Sequence, residues 1–210
     1  KMNVNSPVIQ ETNKKPLHEI REGISEARKN PIIFGNLLAA GIVSSLILNM
    51  GTYGPLFADR VLHKGLDGFG SILFAAGAGS MASGILSATS STHYSQRFIF
   101  TAAGLCGLLL MAVSYIFWTI PALFMFALLG FATILFMVNC NTAIQMASPP
   151  EYLGRIMGLY TFVFLGSAPF GSLLVSAIIE YMGTSLGLAI VGLFEIILIL
   201  LTAKTYSKQK

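Results

Sequence analysis

Five side chains in the apolar part of the sequence carry polar or ionisable groups that could bind a ligand or a proton, and hydrocarbon tolerates such groups poorly. Asn49, Asn139, Asn141 and Gln145 are amides and Glu195 is a carboxylic acid, each inside a long apolar run. Such groups are costly in a bilayer unless they face water or a protein partner. Asn141 and Gln145 lie one helical turn apart and share a face, whereas Asn139 points away from them. These residues predict either a wet pathway or hydrogen bonds between helices.

A second polar set lies in the first apolar run, where Gly41, Ser45, Asn49 and Tyr53 recur every four residues. This spacing predicts one shared helix face. Gly54-Pro55 predicts a break or kink near the end of that helix. We expect Ser45, Asn49 and Tyr53 to line a water-filled pathway, the alternative being an interhelical hydrogen bond from Asn49.

Glu195 is the one formal charge well inside an apolar run. Burial disfavours a carboxylate, so this group is a candidate for exchanging protons. The competing interpretation is a neutral, hydrogen-bonded acid with a structural role. The histidines His18, His63 and His93 are far apart, and no nucleophile–base pair or nucleotide-binding loop can be assembled. The sequence therefore predicts no metal site, no cofactor and no enzyme activity.

The composition identifies lipid as the main solvent of the chain. Of the 210 residues, 54% are hydrophobic and 10% are charged, against about 25% charged in a soluble domain. Cys106 and Cys140 both lie in apolar runs, which excludes a disulfide-rich secreted scaffold. The net charge of +4 does not indicate nucleic-acid binding, because the cations form no continuous stripe and flank apolar runs instead.

Six apolar stretches after residue 30 are long enough to cross a bilayer, which needs about 20 residues per helix. They run over 32–57, 68–91, 98–118, 121–147, 155–179 and 184–203. Pro149-Pro150 must end the fourth, since neither proline donates a backbone hydrogen bond. The sequence predicts an all-α polytopic membrane protein in three parts: a leader at 1–30, a six-helix transmembrane bundle at 31–203 and a tail at 204–210.

The distribution of cations predicts the orientation of these spans. Eleven of the thirteen Lys and Arg residues fall on the side that holds the leader, the second and fourth breaks and the tail, and only Arg60 and Lys64 fall on the other side. The positive-inside rule then places both termini in the cytoplasm. We expect a multi-pass protein of the plasma membrane.

The polar leader carries a helical pattern of its own. Its apolar stripe consists of Leu17, Ile20, Ile24 and Ala27, and Glu19, Glu22 and Glu26 fall on the opposite side. This pattern predicts either an amphipathic helix on the cytoplasmic leaflet or a linker helix packed on the ends of the spans. Asn30-Pro31 should end that helix. Because the chain begins with Lys1 in a polar segment, we expect a fragment of a longer protein.

Small residues in two of the spans predict how the helices pack and bend. Gly77 and Gly84 in the second span would let a neighbouring backbone approach closely, the alternative being a surface on the pathway. In the fifth span, Pro169 is flanked by Gly166 and Gly171. A proline there predicts a kink, which acts either as a hinge or as a static bend.

Three stretches give the sequence a family resemblance: residues 141–145 (NTAIQ), 149–160 (PPEYLGRIMGLY) and 166–171 (GSAPFG). They resemble the second half of a major facilitator superfamily transporter, in its drug and siderophore exporter branch. The resemblance implies a central cavity beside the first span and a cytoplasmic gate or turn at Gly154 and Arg155. The sequence departs from the family at Ala88, where an acid is common, so a charge latch on this half would be built around Gly154 and Arg155.

The resemblance also implies a function, namely proton-coupled efflux of small amphiphilic molecules such as drugs or siderophores by alternating access. The implied partners are the small-molecule substrate, membrane lipid and a second six-helix half. Two alternatives stay open. One is a half-size transporter that acts as a homodimer, and the other is a non-transporting or degenerate membrane protein, which the departure at Ala88 favours.

Overall fold

The structure is a computed structural model, and it describes residues 16–89 and 95–208. Predictions for residues 1–15, 90–94 (with His93) and 209–210, and for the side chains of residues 16–21 and 207–208, lie outside the described part. Within the described ranges the chain forms eight α-helices and no strand. The helices are α1 (Pro16–Lys29), α2 (Pro31–Leu46), α3 (Met50–Arg60), α4 (Gly65–Thr89), α5 (Gln96–Val113), α6 (Thr119–Ala147), α7 (Leu153–Met182) and α8 (Thr184–Lys208).

Nearly all of the helical residues belong to six spans that are long and apolar enough to cross a membrane. The helices α2 and α3 together make the first span, and α4 to α8 make the other five. The all-α fold and the six predicted spans are therefore confirmed. Proline ends two of the helices as expected: α1 stops directly before Asn30-Pro31, and α6 stops two residues before Pro149-Pro150. The last helix continues to Lys208, past the predicted boundary at residue 203.

The first span departs from the prediction. We expected one helix over 32–57 with a break at Gly54-Pro55, but α2 ends at Leu46 and α3 begins at Met50. Pro55 lies inside α3, so a break at Gly54-Pro55 was the wrong position, whereas a kink there stays a prediction. The physical reason is that two side chains replace helical donors at the break: the Asn49 amide donates to the Ser45 carbonyl and the Tyr53 hydroxyl donates to the Ile47 carbonyl. The bond from Asn49 alone is not sufficient, because Asn139 makes the same bond one turn back inside an unbroken helix.

One end of the bundle is held together by contacts between helix termini, and we call it the basic end. These contacts are Asn30 Nδ2 to the Ala147 carbonyl (3.1 Å), Asn36 Nδ2 to Gln96 Oε1 (2.9 Å) and the rings of Phe100 and Tyr206 (centroids 5.9 Å apart). They join the starts of α2 and α5 to the ends of α6 and α8. The end of α1 and the start of α7 lie at this same end. The described cations there are Arg28 and Lys29 on α1, Arg97 on α5, Arg155 on α7 and Lys204 on α8.

Glycines set the close packing of α4 against α6, but they are not the predicted ones. A Cβ added at Gly79 would strike the backbone of α6, and one added at Gly130 would strike the backbone of α4. Gly77 and Gly84 face open space in the described bundle, so the prediction that they pack against a neighbour was wrong within this chain. Two residues turn a helix by about 200°, which puts Gly77 and Gly79 on opposite faces.

Candidate functional site

The polar residues predicted in the first span gather at its break. A helix interrupted inside a membrane frees backbone carbonyls that need new donors. Asn49 Nδ2 donates to the Ser45 carbonyl, and the Tyr53 hydroxyl donates to the Ile47 carbonyl at 2.8 Å. The break consists of residues 47–49. Both side chains therefore donate hydrogen bonds to backbone carbonyls in the break or directly before it.

Burial separates the three predicted pathway residues. Tyr53 is fully buried and Asn49 is 9% exposed, whereas Ser45 is half-buried. Ser45 also lines an open groove, described below. In this structure, Ser45 is accessible to a ligand, while Asn49 and Tyr53 hold the shape of the wall behind it.

The long helix α7 crosses the break at very short range. A Cβ at Gly171 would overlap the Ser45 carbonyl. About two turns earlier on α7, the Phe164 carbonyl accepts a hydrogen bond of 2.5 Å from the Ser44 hydroxyl. Pro169 lies between these contacts on an exposed face, inside a helix that continues on both sides. Whether Pro169 acts as a hinge or as a static bend stays a prediction.

The amides of α6 divide as the sequence indicated. The side chains of Asn141 and Gln145 are hydrogen-bonded to each other, and the Asn141 amide is also a partner of the Tyr160 phenol on α7. Asn139 points elsewhere and donates to the Leu135 carbonyl of its own helix at 2.7 Å. Asn141 is half-buried and Gln145 is exposed, so this pair is open to the surface of the bundle.

A groove of about 370 Å³ connects the break with the basic end. It runs between α1, α2 and α7, and we call it the α2–α7 groove. Its apolar walls include Phe34, Leu38, Ile42, Leu159 and Val163, with Arg28 at the basic end and the Ser45 hydroxyl at the inner end. An apolar cleft with a few placed polar groups is the usual form of a small-molecule site.

The leader helix packs on the spans through Arg155. Its Nη1 lies 2.5 Å from Glu22 Oε2 on α1, and its guanidinium lies 5.6 Å from the Tyr152 ring centroid. The neighbouring Ala27 is 1% exposed. Glu22 therefore faces protein, and α1 packs on α7 and α2, which agrees with the second of the two predicted arrangements. Contact of α1 with lipid headgroups stays a prediction.

Gly154, the other half of the predicted gate, is exposed. A Cβ added there would meet nothing within 4 Å. The described residues therefore give no steric reason for glycine at this position. The role of Gly154 in a gate stays a prediction.

Glu195 lies apart from the break, where α8 crosses α5. A Cβ at Gly107 on α5 would strike Glu195 Oε2 and the Gly192 carbonyl, so the two backbones meet closely at these glycines. Both carboxyl oxygens are buried without a well-formed hydrogen bond to a described residue. The candidate proton-exchanging residue is thus separate from the pathway residues.

The structure also identifies residues that the sequence analysis missed. Ser44, Phe164 and Tyr160 link the break to the α6 amides, with the Tyr160 and Phe164 rings stacked at 5.8 Å between centroids. Glu22 is the partner of Arg155. The spacing of these four residues in the sequence predicts which face of a helix each lies on. It does not predict which other helix that face contacts. Within the described ranges, no cluster of three or more His, Cys, Asp or Glu side chains is placed to hold a metal.

Comparison with known proteins gives one match. A family model described as the Major Facilitator Superfamily matches residues 4–172. No curated protein and no solved structure matches the chain. The matched range contains the break, the α2–α7 groove and the contact between Glu22 and Arg155, whereas Glu195 lies beyond it.

Proposed function

The chain belongs to the major facilitator superfamily of membrane transporters, and on that premise we propose that it is the C-terminal six-helix half of an exporter of the drug and siderophore branch. The transport is secondary and driven by a proton gradient. Its substrates are small amphiphilic molecules such as drugs or siderophores. The two halves of the transporter rock against each other, so that a site near the bilayer midplane opens to one side at a time.

The observation that carries this proposal is the broken first span beside an open groove. The span is 30 residues long, and the break at 47–49 falls near its middle. Discontinuous helices near the midplane commonly form the binding sites of secondary transporters. Irregular backbone at that depth is tolerated where it is buried in protein or lines a cavity, and here the α2–α7 groove reaches Ser45.

Two poorly covered helices support a second six-helix half. Only 17% of the spanning window is buried in α4 and in α7, against 56% in the first span. Gly77 and Gly84 on α4, and Gly158 and Gly166 on α7, have open space where a side chain would be. Membrane helices associate through such small residues, because lipid provides no hydrophobic driving force between them.

The proposal assigns a role to each predicted residue. Ser45, Asn141 and Gln145 contact the substrate, Asn49 and Tyr53 hold the break, Gly154 and Arg155 form the cytoplasmic gate, and Pro169 is the hinge of α7. Glu195 is the candidate for proton coupling, and its position at the α5–α8 crossing favours the alternative of a neutral structural acid. The basic end faces the cytoplasm, and both termini lie there, in a multi-pass protein of the plasma membrane.

The test is accumulation of an amphiphilic dye in cells that express the full-length gene, with and without a proton uncoupler. We expect expression to lower the accumulation and the uncoupler to restore it. Ser45→Phe should abolish the effect, because the ring fills the inner end of the groove. Thr205→Phe, which adds the same bulk at an exposed position of α8, should leave it intact.

Each part of the result tests a different claim. Export that the uncoupler does not change would contradict proton coupling. Export that Ser45→Phe does not change would contradict the placement of the pathway.

A second candidate is a non-transporting or degenerate membrane protein, or a half-size transporter that pairs with itself. Ala88 favours loss of function, since it is exposed on α4 at the position where the family resemblance implies an acid. A homodimer would bring α4 of one copy against α7 of the other. The native Cys106 and Cys140 are buried, so single cysteines at Gly77 and Gly166 would report this contact by crosslinking. Crosslinks between two copies would favour the homodimer over a separate second half.

A further inference from the structure

A second and larger groove lies at the basic end, on the side of α5 and α8. It encloses about 1180 Å³, and we call it the α5–α8 groove. Its walls are mainly apolar and include Phe100, Gly104, Leu108, Ile196, Leu200 and Tyr206. The first turn of α2 and the last turn of α6 complete it. The α2–α7 groove shares no lining residue with it.

The depth of the α5–α8 groove matches one leaflet of a bilayer. Along α5 it extends from Arg97 to Leu108, which is about 16 Å at the rise of an α-helix. Along α8 it extends from Tyr206 back to Ile196, which is about 15 Å. Half of a hydrocarbon core is about 15 Å. The groove therefore has the reach of an acyl chain that enters from the basic end.

The mouth of the α5–α8 groove is positively charged. Arg97 is exposed in the first turn of α5 and is the only charged residue among the described lining. The start of a helix adds partial positive charge at the same place. Beside it, the amide nitrogen of Gln96 is buried and has no hydrogen-bond partner in the described part of the chain. The exposed permanent cation Arg97, at headgroup depth, favours an anionic headgroup over a zwitterionic one.

The geometry points to a binding site for one anionic phospholipid, with its phosphate at Arg97 and an acyl chain between α5 and α8. The site does not depend on transport. With the basic end in the cytoplasm, the lipid comes from the leaflet where anionic headgroups attract juxtamembrane cations. The two least covered spans are α4 and α7, each with 17% of its spanning window buried, so a second half docked there leaves the α5–α8 groove facing lipid.

The first test compares headgroups by native mass spectrometry of the purified full chain. Phosphatidylglycerol and phosphatidylcholine with identical acyl chains are offered separately. We expect about fivefold tighter retention of phosphatidylglycerol, the difference that one surface cation typically makes. Arg97→Gln should remove the preference and Arg97→Lys should keep it. Lys204→Gln, at the same end but outside the groove lining, should also keep it.

The second test fills the groove. Gly104 has open space where a side chain would be, so Gly104→Leu is expected to fold normally and to lower retention of both lipids. Thr205→Leu, exposed on α8 outside the groove, should not. Equal retention of the two lipids by the native chain, or an unchanged preference in Arg97→Gln, would overturn the proposal. Displacement of phosphatidylglycerol by excess inorganic phosphate would also overturn it, since the site would then bind a free anion.

Discussion

The crossing of α2 with α7 and the crossing of α5 with α8 both depend on glycine, yet they treat polar groups in opposite ways. At the first, Gly171 meets the Ser45 carbonyl, and polar side chains donate to backbone that the break has freed. At the second, Gly107 and Gly192 bring two regular helices together. The acid buried there, Glu195, finds no well-formed partner among the described residues.

This difference indicates where the bundle can change shape. A break held by side-chain donors rearranges by exchanging those donors, and each exchange involves only a hydrogen bond worth about 1 kcal/mol net. Two regular helices packed at glycines cannot rearrange in such small steps, because moving them apart breaks all of their close contacts at once. We therefore expect motion at the α2–α7 crossing and rigidity at the α5–α8 crossing.

The largest loss of stability and export is expected when a side chain is added at Gly171, where α7 contacts the Ser45 carbonyl of α2. Gly171→Val would force the Ser45 backbone away from α7, and overpacking of this kind costs about 1–3 kcal/mol or more. Thermal unfolding in detergent should show a lower midpoint, and dye export should be lost. Gly104→Val adds the same side chain into open space and is the matched control. Equal midpoints for the two variants would contradict the close contact.

The next effect concerns the donors at the break. Asn49→Ala leaves the Ser45 carbonyl without its side-chain donor, which costs about 1–3 kcal/mol in a buried setting. Tyr53→Phe removes only the hydroxyl that serves Ile47 and should cost about 1 kcal/mol. Asn139→Ala is the control, since that amide bonds within its own unbroken helix. If Asn139→Ala lowers the unfolding midpoint as much as Asn49→Ala does, the hydrogen bonds at the break contribute no more to stability than a bond within an unbroken helix, and the proposed role of Asn49 is wrong.

The same comparison shows what the sequence could predict. The six spans followed from apolar runs longer than a bilayer needs. The helix ends at Asn30-Pro31 and Pro149-Pro150 followed from the missing donors of proline. Both are local properties that depend on chain chemistry alone. The position of the break was not predicted, because a four-residue period from Gly41 to Tyr53 assumes an uninterrupted helix.

Contacts between helices were the harder part of the site. Periodicity assigns Gly77 and Gly79 to opposite faces, but it cannot say which face meets α6. The partner of Arg155 was likewise hidden, since Glu22 is 133 residues away along the chain. Such pairings depend on how whole helices pack against each other. A short stretch of a single sequence does not contain that information.

A smaller effect is expected at the contact that ties the leader to α7. Glu22 and Arg155 are each 26% exposed, and ion pairs open to solvent contribute at most about 1 kcal/mol. A double-mutant cycle with Glu22→Gln and Arg155→Gln should give a coupling below that value. Salt should weaken the coupling further, because exposed charges are screened. A coupling that is unchanged in high salt would mean that the contact is more enclosed than these exposures indicate.

The smallest effect is expected at the rigid crossing, from Glu195→Gln. The amide keeps the size of the acid and is neutral, so it suits a pocket made by Gly107 and Gly192 without a partner for a charge. We expect the unfolding midpoint and the uncoupler-sensitive export to match those of the native chain. Glu195→Ala is the comparison variant and should lower the midpoint, because it leaves a cavity between the two helices. Export that persists in Glu195→Gln but no longer responds to the uncoupler would place proton coupling at this crossing, and the division between a moving and a rigid crossing would then be wrong.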